Sequence, residues 1–267
     1  MAPGRRVARL AALTALLSAA PAGADLAQVQ KTGKLRVLAV DGAPAFIAFA
    51  PGAEPGLERE ILDGFARLHS AQVELVEVAA WEELVPSLLQ GKGDVIAGGV
   101  TDTPARRRLI AFTVEVFPTR DVVLSRKPMP PILTLEQLRA VRVGTIRGTG
   151  LADRIEEARV PKANIDDAVP ATGFAEALRS GRVAALVDGV EDALLLRKAD
   201  PDVQLGMFLG PPQSLAFGVR RNAPALLAAL DQYVANVRKT PTWSRLVVKY
   251  FGAAAAEVLK KARGDSP

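Results

Sequence analysis

The 267-residue chain has no cysteine, one histidine, two tryptophans and two tyrosines. Without cysteine there is no disulfide framework and no lipid attached through sulfur at a processed N-terminus. His69 stands alone before Ser70 at the end of a helical pattern. It makes no metal site by itself and is expected to help satisfy the helix's last carbonyls. Aromatic residues are only 5% of the chain, and no basic stripe is interleaved with them, so nucleic acid is not an expected partner. Beyond residue 24 no long apolar run exists, and nothing there reads as a membrane span. No metal ion and no cofactor is expected.

What is present begins with residues 1–24, which read as a secretory signal: Arg5, Arg6 and Arg9, then the apolar run Leu10–Leu17, then Ala22-Gly23-Ala24 before Asp25. Its removal takes away three positive charges and no negative ones, which lowers the formal net charge from +5 to +2. Much of the high pI therefore resides in the leader and in Lys260, Lys261 and Arg263. An exported, unanchored, disulfide-free chain fits a bacterial periplasm. The remaining length suffices for one large core or two moderate ones.

Strand and helix patterns alternate through the first half. Lys34–Val40, Gln72–Val78 and Asp94–Ala97 read as strands, with helices over Leu57–Leu68 and Glu82–Gln90. This βαβαβ order predicts a parallel sheet with helices on both faces. Strands at Leu109–Thr113 and Arg120–Arg126 follow, with Pro118 as a break between them, and Lys127–Pro131 is a second, rigid break. A further alternating set has strands at Val141–Thr145, Val183–Val187 and Ser214–Val219. Its helices run over Leu151–Ala158, Gly173–Ser180 and Val190–Lys198. Helices Ala223–Lys239 and Trp243–Phe251 and a helical tail, Ala253–Arg263, close the chain. Two α/β lobes are expected, residues 25–118 with 220–267 and residues 119–219. An internal echo supports them: Leu89–Gly98 and Arg179–Asp188 each read as a helix end, a glycine with a base, and a short apolar strand.

One segment carries recognition chemistry. In Asp94–Arg106 a short apolar strand leads to Gly98-Gly99, which expose bare backbone. Thr103 is then an N-cap and Pro104 a first helical residue. An Arg one turn into such a helix can grip a carboxylate through two parallel hydrogen bonds, at the carboxyl end of a strand where open α/β sheets bind ligands. Arg106, Arg107 and Arg108 also fit a solvated basic turn. Three adjacent residues on one turn cannot face one way, however, so one can point inward while two stay wet.

In order and spacing these residues resemble the bacterial extracellular solute-binding proteins of family 3, the periplasmic receptors of polar amino-acid ABC transporters. The landmarks are Gly33–Val37, Pro55–Glu58, Trp81–Leu88, Gly91–Ala97, Thr101–Arg106, Ala111–Thr113, Val143-Gly144 and Gly148-Thr149. The resemblance spans about residues 33–252. It implies an α/β, two-lobed periplasmic-binding-protein fold of type II, its lobes joined by two crossing strands with a ligand cleft between them. It further implies that Arg106 and Thr101 bind a ligand α-carboxylate and that Gly99 contacts the ligand through its backbone. Thr149 would complete the carboxylate seat from the second lobe, and Asp188 would take the α-ammonium group. Asp41 and Trp81 would line the side-chain end.

Other readings of these residues stay open. Asp188 also reads as an N-cap for the helix that follows, Trp81 as core packing or a helix-entry staple, and Asp41 as a turn cap with Gly42. The chain departs from the family pattern in its loop Asp41–Phe46, in Gly56-Leu57-Glu58, and in Gly148-Thr149-Gly150 preceded by Arg147. Arg147 reads either as a cleft residue suited to a dianionic ligand or as a solvent-facing charge.

The implied function is a monomeric periplasmic receptor that closes on a small carboxylate-bearing solute, an amino acid, and delivers it to an inner-membrane ABC permease, without catalysis. Two alternatives are an enzyme on the same scaffold, resembling cyclohexadienyl dehydratase and using Glu58 or Asp188, and an accessory ligand sensor. No fused transglycosylase or kinase domain is expected before Pro267.

Overall fold

The structure is a computed structural model that describes residues 24–40, 55–147, 149–170 and 173–264. Asp41, Gly148 and nearly all of the expected signal segment lie outside the described residues. In chain order the elements begin with α1 (Ala24–Thr32), β1 (Lys34–Val40), α2 (Leu57–Leu68), β2 (Gln72–Val78), α3 (Trp81–Leu89), β3 (Val95–Ile96), α4 (Pro104–Arg107) and β4 (Ala111–Phe112). Next come β5 (Phe117–Arg126), α5 (Leu135–Arg139), β6 (Val143–Gly144), α6 (Gly150–Glu157), β7 (Ile165–Asp166), α7 (Phe174–Arg179), β8 (Ala185–Gly189) and α8 (Val190–Ala199). β9 (Val203–Leu215), β10 (Gly218–Val219), α9 (Pro224–Lys239), α10 (Pro241–Phe251) and α11 (Ala255–Ala262) complete the series.

The strands form two five-stranded sheets, ordered β2-β1-β3-β10-β4 and β7-β6-β8-β5-β9. The third strand of each has a parallel neighbour on one side and an antiparallel one on the other: β3 between β1 and β10, β8 between β6 and β5. The echo between Leu89–Gly98 and Arg179–Asp188 is therefore structural. Period-two alternation puts helices on both faces of each sheet. Val37 and Val95 pack in one cluster with Leu62 and Phe65, whereas Leu38 and Ile96 pack in another with Leu84 and Leu88. In the second sheet Leu124 and Leu186 join Leu194, while Val123, Ala185 and Val187 join Ile155.

β5 and β9 are the crossing strands. They pair with each other from Phe117↔Leu215 to Arg126↔Val203, and at the near end Leu215 also bridges Thr101 in the first lobe. Two expectations are corrected here. Pro118 lies inside β5 rather than between strands. β9 begins at Val203, eleven residues before the expected strand, and runs through Pro211-Pro212. A register shift between Thr119↔Gln213 and Asp121↔Leu209 accommodates the two prolines, which have no N–H to give a ladder. Gly218 and Val219 pair with β3 and β4, so they belong to the first sheet and not to the residues 119–219 set. The C-terminal helices α10 and α11 return to pack on α8, with the Phe117 ring 5.0 Å from that of Phe251 and 5.8 Å from that of Trp243.

Candidate ligand-binding site

At the carboxyl end of β3 the chain turns through Gly98 and Gly99, whose φ values of 114° and 76° are disfavoured for residues with a Cβ. Thr103 then caps α4, its Oγ1 accepting the Arg106 N–H at 3.3 Å, with Pro104 following it. This short helix separates the three arginines as expected. Arg107 pairs with Asp102, its Nε donating to Oδ1 at 2.6 Å, and Arg108 is exposed. Arg106 turns inward and is half-buried, and its Nη1 donates to the Thr101 carbonyl at 2.8 Å. Among the described residues no carboxylate pairs with it. Burial lowers the pKa of the Arg106 guanidinium, the direction expected of a partly desolvated cation.

The N–H groups of Gly98 and Gly99 are engaged within the protein. Glu58, in the first turn of α2 and 1% exposed, takes both amides: Gly98 N–H donates to Oε2 at 2.7 Å and Gly99 N–H to Oε1 at 3.3 Å. Burial pushes the Glu58 carboxyl up to about 7, opposed by these two hydrogen bonds. The Gly99 N–H is therefore already engaged.

The corresponding end of β8 in the second lobe is acidic. Asp188 accepts the N–H of Gly189, the next residue, at 2.9 Å. The N-cap of α8 is Gly189 without a side-chain cap bond, so Asp188 does not serve as the cap. Burial raises the Asp188 pKa well above the ordinary range, reinforced by the charges of Asp192 and Glu191. Glu191 itself is pushed up to about 8, by burial and then by Asp192, although the Thr119 hydroxyl donates to its Oε2 at 2.5 Å. Two cations on this side are engaged: Arg154 with Asp121 at 2.9 Å and with Glu157, and Arg120 with the Gly210 carbonyl. Glu191 and Asp192 carried no signal in the sequence beyond that of ordinary acids in a helix's first turn.

Both strand ends are tied to the same ribbon. Thr101 bridges Leu215, Leu215 pairs with Phe117, and two residues along β5 Thr119 bonds Glu191. A basic group and an acidic group on opposite lobes, joined through the crossing strands, suit a small ligand with both charges. Thr149 sits at the N-cap of α6, half-buried, with its hydroxyl donating to the Ile146 carbonyl at 2.7 Å. Trp81 opens α3 and is 41% exposed, so it is not a core residue. Arg147 is exposed and forms a two-pronged pair with Asp167 at 2.8 and 2.9 Å, the solvent-facing reading. His69 caps α2 through its backbone, and its ring lies 4.6 Å from that of Phe65. A cavity of about 420 Å³ on the second lobe is lined by Thr145, Arg147, Asp153 and Lys162; neither Arg106 nor Asp188 lines it. Among the described residues no cluster of side chains suits a metal ion, and no helix is long and apolar enough to cross a membrane.

Known proteins resemble the chain along this whole arrangement. The histidine-binding periplasmic protein of Escherichia coli (strain K12) is 29% identical over 181 residues, which cover 64% of this chain and 69% of that protein. A membrane-bound lytic murein transglycosylase F from Desulfosudis oleivorans is 23% identical over 233 residues, 86% of this chain. The chain spans 51% of that relative's length. The solved structure of an ancestral cationic amino acid solute-binding protein superposes with a TM-score of 0.76 at 26% identity, covering 85% of this chain and 99% of that one. Residues 35–253 match the family described as bacterial extracellular solute-binding proteins, family 3, and the chain belongs to that family.

Proposed function

We propose that the chain is a periplasmic receptor, exported by its N-terminal signal, that captures an amino acid or related carboxylate and hands it to an inner-membrane ABC permease. One observation carries this reading: Arg106 is turned inward without an acid to pair with among the described residues, while the equivalent strand end of the other lobe gathers Asp188, Glu191 and Asp192. A bound zwitterion would meet both charges, and an unmet buried charge costs several kcal/mol. Closure of the lobes would then depend on ligand. Thr101 and Thr149 would add hydroxyls to the carboxylate seat, while Trp81 and Asp41 would shape the far end. Relatives named as binding proteins favour a receptor over an enzyme, and Glu58, one of two candidate acids for catalysis, is taken up by two amides.

A thermal-shift screen of the processed protein against the common amino acids tests the proposal. At least one ligand is expected to raise Tm, to bind without being consumed, and to lose its effect in Arg106→Ala, which retains the unliganded Tm. A ligand lacking a carboxylate that still binds Arg106→Ala would overturn it.

A further inference from the structure

We propose that Glu58 is a positioning residue for ligand capture: its carboxylate, bridging the Gly98 and Gly99 amides, moulds the turn that sets Thr101 and Arg106. This rests on the reading of Arg106 as the carboxylate seat. The turn has a demanding shape, with two successive residues at positive φ. Such a turn aims consecutive amides at one point, the arrangement that binds anions. Here the anion is supplied by the protein itself, forty residues away in sequence, from α2. Left vacant, those amides would compete with Arg106 for the ligand's carboxylate. Filled, they direct it to the guanidinium and to Thr101, whose carbonyl holds Arg106 from two residues beyond Gly99. Thr101 also bridges Leu215 of the crossing ribbon, so the turn Glu58 shapes is joined to the strands about which the lobes hinge.

Among the described residues no neighbouring cation offsets Glu58; burial raises its pKa and the two amides oppose the shift. Several charged groups on the elements around it are occupied elsewhere. On α2, Arg59 pairs with Asp63, and Glu60 pairs with Lys249 and Tyr250 of α10. On α4, Arg107 pairs with Asp102 and Arg106 bonds the Thr101 carbonyl. A neutral Glu58 keeps one good acceptor and presents an O–H where the second amide needs an oxygen. Protonation therefore loosens the turn.

The experiment is a titration of wild type and Glu58→Gln with the best amino-acid ligand from the thermal-shift screen, at pH 6 and pH 8. Wild type is expected to bind more tightly at pH 8 than at pH 6. Glu58→Gln, which can satisfy only one amide, is expected to bind about tenfold more weakly than wild type at pH 8, the cost of one charge-assisted hydrogen bond, and to show a smaller pH dependence than wild type, the remainder belonging to Asp188, Glu191 and Asp192. Glu58→Asp, measured alongside, should recover part of the affinity and the pH response. Equal affinity of wild type and Glu58→Gln at both pH values would overturn the positioning role while leaving the receptor reading intact. A wild type that binds no carboxylate ligand at either pH would instead remove the reading on which it rests.

Discussion

The two lobes use the same strand end in opposite ways. Each has a third strand flanked by one parallel and one antiparallel neighbour, and at each carboxyl end a carboxylate meets backbone amide. In the first lobe the acid is imported from another helix. Glu58 engages the two amides, and half-buried Arg106 follows in α4. In the second lobe Asp188 accepts only the N–H of the residue next to it, and Glu191 and Asp192 of α8 raise its pKa further. Identical topology thus carries a basic side chain at one strand end and a cluster of acids at the other. The difference lies in which residue, local or distant, satisfies the strand-end donors.

Replacing the acid of the second lobe should have the largest effect. Asp188→Asn is expected to weaken ligand binding by at least about 30-fold, as for loss of one partner of a buried charge pair. Isothermal titration would show it, with Tm of the empty protein unchanged or raised. A smaller effect concerns pH. Glu58, Asp188, Glu191 and Asp192 all have raised pKa values in the folded state, so between about 4.5 and 8 the native protein binds more protons than the unfolded chain, and stability must fall as pH climbs through that range. Asp166, held well below the usual range chiefly by Arg182, acts in the other direction and costs stability only in stronger acid. Tm measured from pH 4 to 9 should therefore peak near the acid end, and the alkaline slope should flatten in Glu191→Gln. The smallest effect is expected from Arg147→Ala, since that guanidinium is exposed and paired with Asp167. Affinity should change by less than about twofold; a larger loss would return Arg147 to the ligand seat.

Much of the first lobe was legible because local signals agree with tertiary packing. The ranges of β1, α2 and β2 follow from their periodicity alone; Thr103-Pro104 and the impossibility of three arginines sharing one face allow one to turn inward, and the family resemblance singles out Arg106. The second lobe was less so. β9 is punctuated by Gly206, Gly210 and Pro211-Pro212, which read as loop, and only pairing with β5 makes it a strand. Glu58 could be noted as unusual after Gly56-Leu57, but its amide partners are contributed by a turn that no local pattern connects to it. Glu191 was hidden for the same reason, since its bond to Thr119 spans 72 positions.

The long strand that made the second lobe hard to read also has a consequence for solubility. β9 is the outermost strand of its sheet, and thirteen residues of open ladder would invite another chain to stack alongside. That invitation is withdrawn over its middle stretch, from Gly206 to Pro212. Near Gly206 the segment carrying Ile132 presses so close that a methyl group there would lie 2.1 Å from the Ile132 carbonyl oxygen, and that same oxygen accepts the Met207 N–H at 2.8 Å. Farther along, the Arg120 side chain seals the Gly210 carbonyl, and the two prolines after it have no hydrogen to offer. Sticky margin becomes inert rim.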